Sequence, residues 1–255
     1  KENSLFKEAT IKRLVSNVNL TAKHKKAVNK WLDYFNSGKL ENEKQAYIEF
    51  ANIILRDLLD YDISLEGLKH EEENIEFLFK KDGNNLICFE AKGAKTKDLW
   101  AYQGRDKKSR ETPVNQINSY LYDKIIPFGI LTNYRLFVLF DRNEGSKKYH
   151  LIDFTELTKE DKLKEFIALF SREQVEKGFI TEVIQQSIVE EREFTKEFYK
   201  LYHETRLMLI KEFEENSGIS REASVHFAQL YLNRLMFVFF AEDTGKIDKR
   251  IIEDR

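Results

Sequence analysis

The sequence predicts an α/β fold, a mixed central sheet flanked by helices, with an all-helical appendage at the carboxyl-terminal end. Three observations point there. Before about residue 62, apolar residues recur at helical spacing. Between about 63 and 155, short apolar runs rich in β-formers alternate with turn residues. From about 156 to 255 the helical spacing returns. The chain has 255 residues, 42% hydrophobic and 13% aromatic, with two prolines. That is enough apolar surface for a sizeable core and too much for a disordered chain.

Taken in order, the first clear element is a helix over Gln45–Asp60, where Ala46, Phe50, Ile53, Ile54 and Leu58 share one arc. Glu49 stands at the edge of that arc. Asp57 falls on it near the helix end and is read as structural, beside Arg56. Ile75–Phe79 and Leu86–Phe89 are two strand-like runs around the turn cluster Lys81-Asp82-Gly83-Asn84-Asn85, which makes a β-hairpin. A polar stretch follows from Ala94 to Pro113, and a helix spans about Val114–Lys124. Pro127–Leu131 and Leu136–Phe140 form another strand pair, joined at Thr132-Asn133-Tyr134-Arg135, and Tyr149–Phe154 adds an edge strand. Helical spacing then marks Lys162–Phe170, Phe179–Gly218 and Arg221–Asp243. Between the last two, Ser217-Gly218-Ile219-Ser220 supplies a stop and an N-cap. Phe227, Phe237, Phe239 and Phe240 are expected in the core of that helical layer. A boundary near residue 175 divides the chain into residues 1–175 and 176–255. No internal repeat and no low-complexity segment occurs.

The formal net charge of −2 offers no general attraction to nucleic acid, so any such binding must come from a local patch. One cysteine, Cys88, rules out an internal disulfide and suits a reducing cytoplasm. Lys1–Leu20 has no apolar core of a signal peptide. The most apolar stretch, Leu235–Ala241, falls short of the roughly 20 residues a bilayer needs, so no membrane contact is expected. The first residue is Lys, and Glu253-Asp254-Arg255 reads as a cut inside a longer protein. His24, His70, His150, His203 and His226 are scattered without the spacing of a zinc site.

The chemistry concentrates at Glu90-x-Lys92, which ends an apolar strand, with Glu76 on the strand before it. Alternation sends residues 90 and 92 to the same face, so a carboxylate and an ammonium stand side by side. A hairpin can set Glu76 across from them. Such a group suits phosphodiester hydrolysis with Mg²⁺: carboxylates bind the ion through oxygen, and the lysine orients water or meets transition-state charge. The plainer alternative is a solvated strand end with an ion pair worth ~0–1 kcal/mol, and Glu76 as the exposed residue of an amphipathic strand. Asp82 belongs to the turn. Lys95, Lys97, Arg105, Lys107, Lys108 and Arg110, with Trp100 and Tyr102 interleaved, leave directly from Lys92. They read either as a DNA-contacting loop or as a solvated charge run.

The segments Ile75-Glu76-Phe77-Leu78-Phe79-Lys80-Lys81-Asp82-Gly83 and Ile87-Cys88-Phe89-Glu90-Ala91-Lys92-Gly93 resemble the PD-(D/E)XK core of restriction endonucleases. The likeness is to the amino-terminal nuclease domain of type IIG restriction-modification enzymes. Three further matches accompany them. Gln116-Ile117-Asn118-Ser119-Tyr120 fits a Gln-x-x-x-Tyr helix. Gly129-Ile130-Leu131-Thr132-Asn133 is similar to the strand ending in Thr-Asn. Ala228–Phe237 with Phe240–Gly245 resembles the helical connector. The family usually has Asp at the position of Glu76. The resemblance implies a restriction-endonuclease-like fold over 1–175 and a connector over 176–255 leading towards a methyltransferase domain. It implies Glu76, Glu90 and the Ala91 carbonyl as metal ligands and Lys92 as the catalytic lysine, with Glu49, Gln116 and Tyr120 in support. Mg²⁺ is then the cofactor, Mn²⁺ a substitute, and S-adenosylmethionine belongs to the methyltransferase part, whose motifs this sequence lacks. The partners implied are double-stranded DNA, covalently continuous methyltransferase and target-recognition domains, and a transient dimer on DNA, in a prokaryotic cytoplasm. The expected function is site-specific cleavage of double-stranded DNA. The alternatives are a fold that has lost cleavage and the nuclease of a type I motor subunit.

Overall fold

Helices come first in the computed structural model, which describes residues 3–63, 68–72, 75–102 and 111–247. Helix α1 is Glu8–Val15 and α2 is Ala22–Asn36. Thr21 caps α2: its hydroxyl accepts from the His24 N–H, and its own N–H donates to His24 Nδ1. The stretch expected as one helix is two: α3, Glu43–Glu49, runs into a π-helical segment, Phe50–Leu58. Phe50, Ala51, Ile53, Ile54, Leu55 and Leu58 are all buried there, a wider apolar surface than one helical stripe offers. Asp57 pairs with Arg56 at 2.9 Å.

Among the described residues six strands form one sheet, in the order β1 (Leu68–Glu72), β2 (Ile75–Lys81), β3 (Asn84–Ala91), β4 (Phe128–Thr132), β5 (Leu136–Asp141), β6 (Tyr149–Asp153). Only β3 and β4 pair in parallel, and α4, Pro113–Asp123, makes the crossover between them. The other neighbours are antiparallel, so the sheet is mixed. The β2–β3 hairpin turns on Asp82 and Gly83, both at positive φ (51° and 79°), as a two-residue turn between twisted strands requires. Strand β1 was not among the sequence expectations; Leu-Lys-His-Glu-Glu has none of the apolar alternation that marks a half-buried strand.

The two faces of the sheet are covered differently. Phe77, Phe79, Ile87, Phe89, Ile130, Phe137 and Leu139 pack in one cluster with residues of α1, α2, the π-helical segment and α5 (Glu160–Phe170). On the other face Leu78, Cys88, Leu131, Val138 and Phe140 meet Val114, Ile117 and Leu121 of α4. Gly129 lets α4 lie close: a Cβ there would stand 2.9 Å from both Ile117 Cδ1 and Leu121 Cδ2. Cys88, wholly buried beneath α4, has its thiol pushed well up by burial, which leaves it unreactive.

After α6 (Arg172–Glu176) come α7, Phe179–Ser217, and α8, Arg221–Asp243, capped by the Ser220 hydroxyl. The chain divides into two compact units, Lys1–Ile188 and Val189–Arg255, with the division inside α7. In the second unit the expectation of buried phenylalanines fails: Phe237 is 71% and Phe240 65% exposed, and Phe227 and Phe239 are exposed as well. The buried residues of α8 are instead Ser224, Ala228, Leu232 and Ala241. Among the described residues, no helix is long and apolar enough to cross a membrane.

Candidate active site

The β2–β3 register pairs Phe77 with Phe89 and Leu78 with Cys88, so Glu76 ends the ladder beside Glu90. Alternation then sends Glu76, Glu90 and Lys92 towards the face that α4 covers. Lys92 Nζ donates to Glu90 Oε1 at 2.6 Å, and the Ala91 N–H donates to Glu76 Oε2 at 2.6 Å. The Lys92 N–H donates to the Thr132 carbonyl at 2.7 Å, which holds the end of β3 against the end of β4. Since the N–H and C=O of a trans peptide point opposite ways, the Ala91 carbonyl turns away from β4, to the side of Glu76.

Glu90 lies near the middle of the sheet and is only 3% exposed. Burial raises its carboxyl above the ordinary range, opposed by the charge and hydrogen bond of Lys92 and by the backbone of Glu76. Its second oxygen, Oε2, is buried with no hydrogen-bond partner. A buried carboxylate oxygen left unsatisfied is costly, and such groups concentrate where a fold keeps a place for chemistry. Four residues apart on α4, the Gln116 amide donates to the Tyr120 hydroxyl at 2.7 Å. Burial raises the Tyr120 hydroxyl above its ordinary range, and the charges of Glu90, Glu111 and Glu76 push the same way. Gln116 and Tyr120 therefore stand within the field of the three carboxylates.

Glu76, Ala91, Lys92, Gly93 and Gln116 line a cleft of about 850 Å³, while Glu90 and Tyr120 lie behind that lining and are not part of it. One wall is α3, with Lys44, Tyr47 and Ile48; the other is the start of α4, with Glu111 and Pro113; Thr96 and Tyr134 complete it. Sequence reasoning missed Lys44, Tyr47, Ile48 and Glu111. The first three share a helix face at i, i+3, i+4 spacing, but that spacing says nothing of what the face looks upon. The Thr132–Tyr134 turn braces the site. Asn133 donates to the Thr96 carbonyl at 2.8 Å and accepts from the Leu136 N–H at 2.8 Å, tying the loop after Lys92 to β5. Tyr134 takes a left-handed φ of 71°, held by its N–H on Thr132 Oγ1 and by Trp31 Nε1 on its carbonyl.

The remaining expected residues lie elsewhere. Glu49, at the end of α3, is not part of the cleft lining. Lys95 and Lys97 are exposed on the loop after β3 and do not line the cleft either. Arg105, Lys107, Lys108 and Arg110 fall outside the described residues.

Among the described residues, no three of His, Cys, Asp and Glu stand so as to hold a metal ion together, so Glu49 does not complete a triad with Glu76 and Glu90. What the site does offer is an unsatisfied carboxylate oxygen on Glu90, a second carboxylate on Glu76, and the Ala91 carbonyl turned to the same side. Oxygen donors of this number suit Mg²⁺, which keeps several waters and takes one or two carboxylates together with substrate phosphate. The donor set fits such an ion. Compared with models of known families, with curated proteins and with solved structures, the chain matches none.

Proposed function

We propose that this chain is a Mg²⁺-dependent endonuclease domain that hydrolyses double-stranded DNA, the cleavage part of a restriction-modification enzyme of the type IIG kind. The observation that carries the reading is Glu90. It is a nearly inaccessible carboxylate with one oxygen on Lys92 and the other buried without a side-chain partner, directly behind Ala91 and Lys92, which line the cleft. A structural ion pair gains most when both carboxylate oxygens are fully satisfied or stay in water, and this one has a buried oxygen without a well-formed hydrogen bond.

Glu76, Glu90 and the Ala91 carbonyl would hold the ion, which supplies Lewis acidity at the phosphate and an acidified water. Lys92, anchored by Glu90, places its ammonium where negative charge gathers on the phosphoryl oxygens. Gln116 and Tyr120, hydrogen-bonded to each other, offer neutral polar contacts from the α4 side. Water attacks phosphorus and the bond to the 3′-oxygen breaks, leaving a 5′-phosphate and a 3′-hydroxyl, the outcome the family resemblance implies. The same resemblance supplies the partners: methyltransferase and target-recognition domains on the same polypeptide, in a prokaryotic cytoplasm.

The test is cleavage of supercoiled plasmid in Mg²⁺ and in Mn²⁺ by the wild type, Lys92→Ala and Glu90→Ala. The wild type nicks or linearises the plasmid, and each variant is slower by about a hundredfold or more. Equal activity in all three would move the site elsewhere. One observation favours a second reading, a DNA-binding module without cleavage: Glu76, a Glu where the family has Asp, already spends Oε2 on the Ala91 N–H. On that reading the wild type binds duplex DNA and cleaves it with neither ion.

A further inference from the structure

The wall of the cleft opposite α4 is unlike the other. The α4 wall brings Glu111 and Gln116; the α3 wall brings Lys44 and Ile48, one helical turn apart on the same face. Lys44 is exposed and makes no ion pair among the described residues, whereas Lys92 is paired with Glu90. Ile48 is 56% exposed, and Tyr47 between them stacks on Phe77 at 4.8 Å and donates to the Glu76 carbonyl at 3.4 Å. Tyr47 thereby fixes α3 to the strand that carries Glu76. An unpaired cation next to an exposed apolar side chain matches a sugar–phosphate chain, which alternates an anion with an apolar ring edge.

We propose that α3 is the wall along which the DNA backbone enters the site, with Lys44 on a phosphate next to the scissile one and Ile48 against the adjoining deoxyribose. This inference rests on the nuclease reading and adds a direction to it. The strand being cut lies on α3 and away from Glu111, whose charge repels it. The two residues contribute by different physics, and salt separates them. A phosphate contact releases condensed counterions, so it steepens the fall of affinity with salt; an apolar contact does not.

The experiment is fluorescence-anisotropy titration of a labelled duplex oligonucleotide across a range of NaCl, in metal-free buffer, with the whole chain. Four proteins are compared: wild type, Lys44→Ala, Ile48→Ala, and Lys25→Ala, which removes the same charge from exposed α2. Lys44→Ala reduces the slope of log K against log salt by about 0.9, one phosphate contact. Ile48→Ala weakens binding by a similar factor at every salt concentration and leaves the slope alone. Lys25→Ala changes neither. A wild-type slope in Lys44→Ala, or an equal drop in Lys25→Ala, overturns the assignment of α3 while leaving the nuclease reading standing. A wild type that does not bind the duplex at low salt overturns both.

Discussion

Two nearly inaccessible carboxylates in the first unit are treated in opposite ways. Glu165 is satisfied on both oxygens: Oε1 meets His150 Nε2 at 2.6 Å and Oε2 meets Lys162 Nζ at 2.9 Å. Burial alone would raise its carboxyl, but those partners outweigh burial and hold it below the ordinary range. Glu90, with one side-chain partner and a buried oxygen that lacks a well-formed hydrogen bond, is raised instead. The first is how a fold uses a buried charge to tie β6 to α5; the second is the arrangement on which the proposed metal site rests. The signs for stability follow by linkage. A depressed carboxyl contributes stability that is complete above the ordinary carboxylate range and is lost as pH falls through its lowered folded value. Glu165→Gln should therefore cost about 1.5–3 kcal/mol near neutral pH, the worth of hydrogen bonds to a charged group, and progressively less in acid. Thermal melts of both proteins across the acid range check this; a gap that stays constant with pH would mean that the charge on Glu165 contributes nothing.

At the scale of elements, the site depends on where three strand and helix ends meet. Strand β3 is central, paired with β2 on one side and β4 on the other, so its last residues are buried, the charged Glu90 among them. The crossover α4 brings Gln116 and Tyr120 over that end only because β4 has Gly129 beneath Ile117 and Leu121. Gly129→Ala forces both side chains, each buried, to move. Overpacking of this kind costs about 1–3 kcal/mol. The melting temperature should drop by several degrees, at roughly 2–4 °C per kcal/mol for a unit of this size. On the proposed function, cleavage should fall with it as α4 lifts from the sheet. An unchanged melting temperature would mean that α4 has room to shift. The π-helical segment is the element sequence periodicity handled worst. Its apolar residues were recognised, but a pattern at period 3.6 cannot announce i→i+5 bonding such as that of the Leu59 N–H to the Ile54 carbonyl.

At the scale of the whole molecule, the chain is two units with different surfaces. The first carries the cleft. The second, Val189–Arg255, leaves large aromatic side chains exposed on α8, while Ser224, Ala228, Leu232 and Ala241 are buried. Substitution should follow that inversion. Phe237→Ser with Phe240→Ser should leave thermal unfolding within about 0.5 kcal/mol of wild type, since exposed positions rarely matter more. Ala228→Leu, at a fully buried position, should cost about 1–3 kcal/mol. Circular-dichroism melts of the two variants rank them, and the reverse order would mean that the phenylalanines are packed in solution. With a net charge of −2, the DNA binding proposed above would depend on local cations, so its salt dependence would read out which lysines take part.

The sequence by itself determined the α/β class, the bounds of most elements to within a few residues, and the placing of Glu90 and Lys92 on one face. These follow from period-2 and period-3.6 patterns and from turn residues such as Asp82-Gly83, which act over a few bonds. Strand β1 was not legible because it is short and polar. Three things belonged to the tertiary structure alone: Glu76 on the Ala91 N–H, the orphaned oxygen of Glu90, and Lys44 and Ile48 as a cleft wall. Each joins residues far apart in the chain or depends on burial. The exposure of Phe227, Phe237, Phe239 and Phe240 on α8 was misread for the same reason. Periodicity says which residues share a side of a helix, and only packing decides which side is covered.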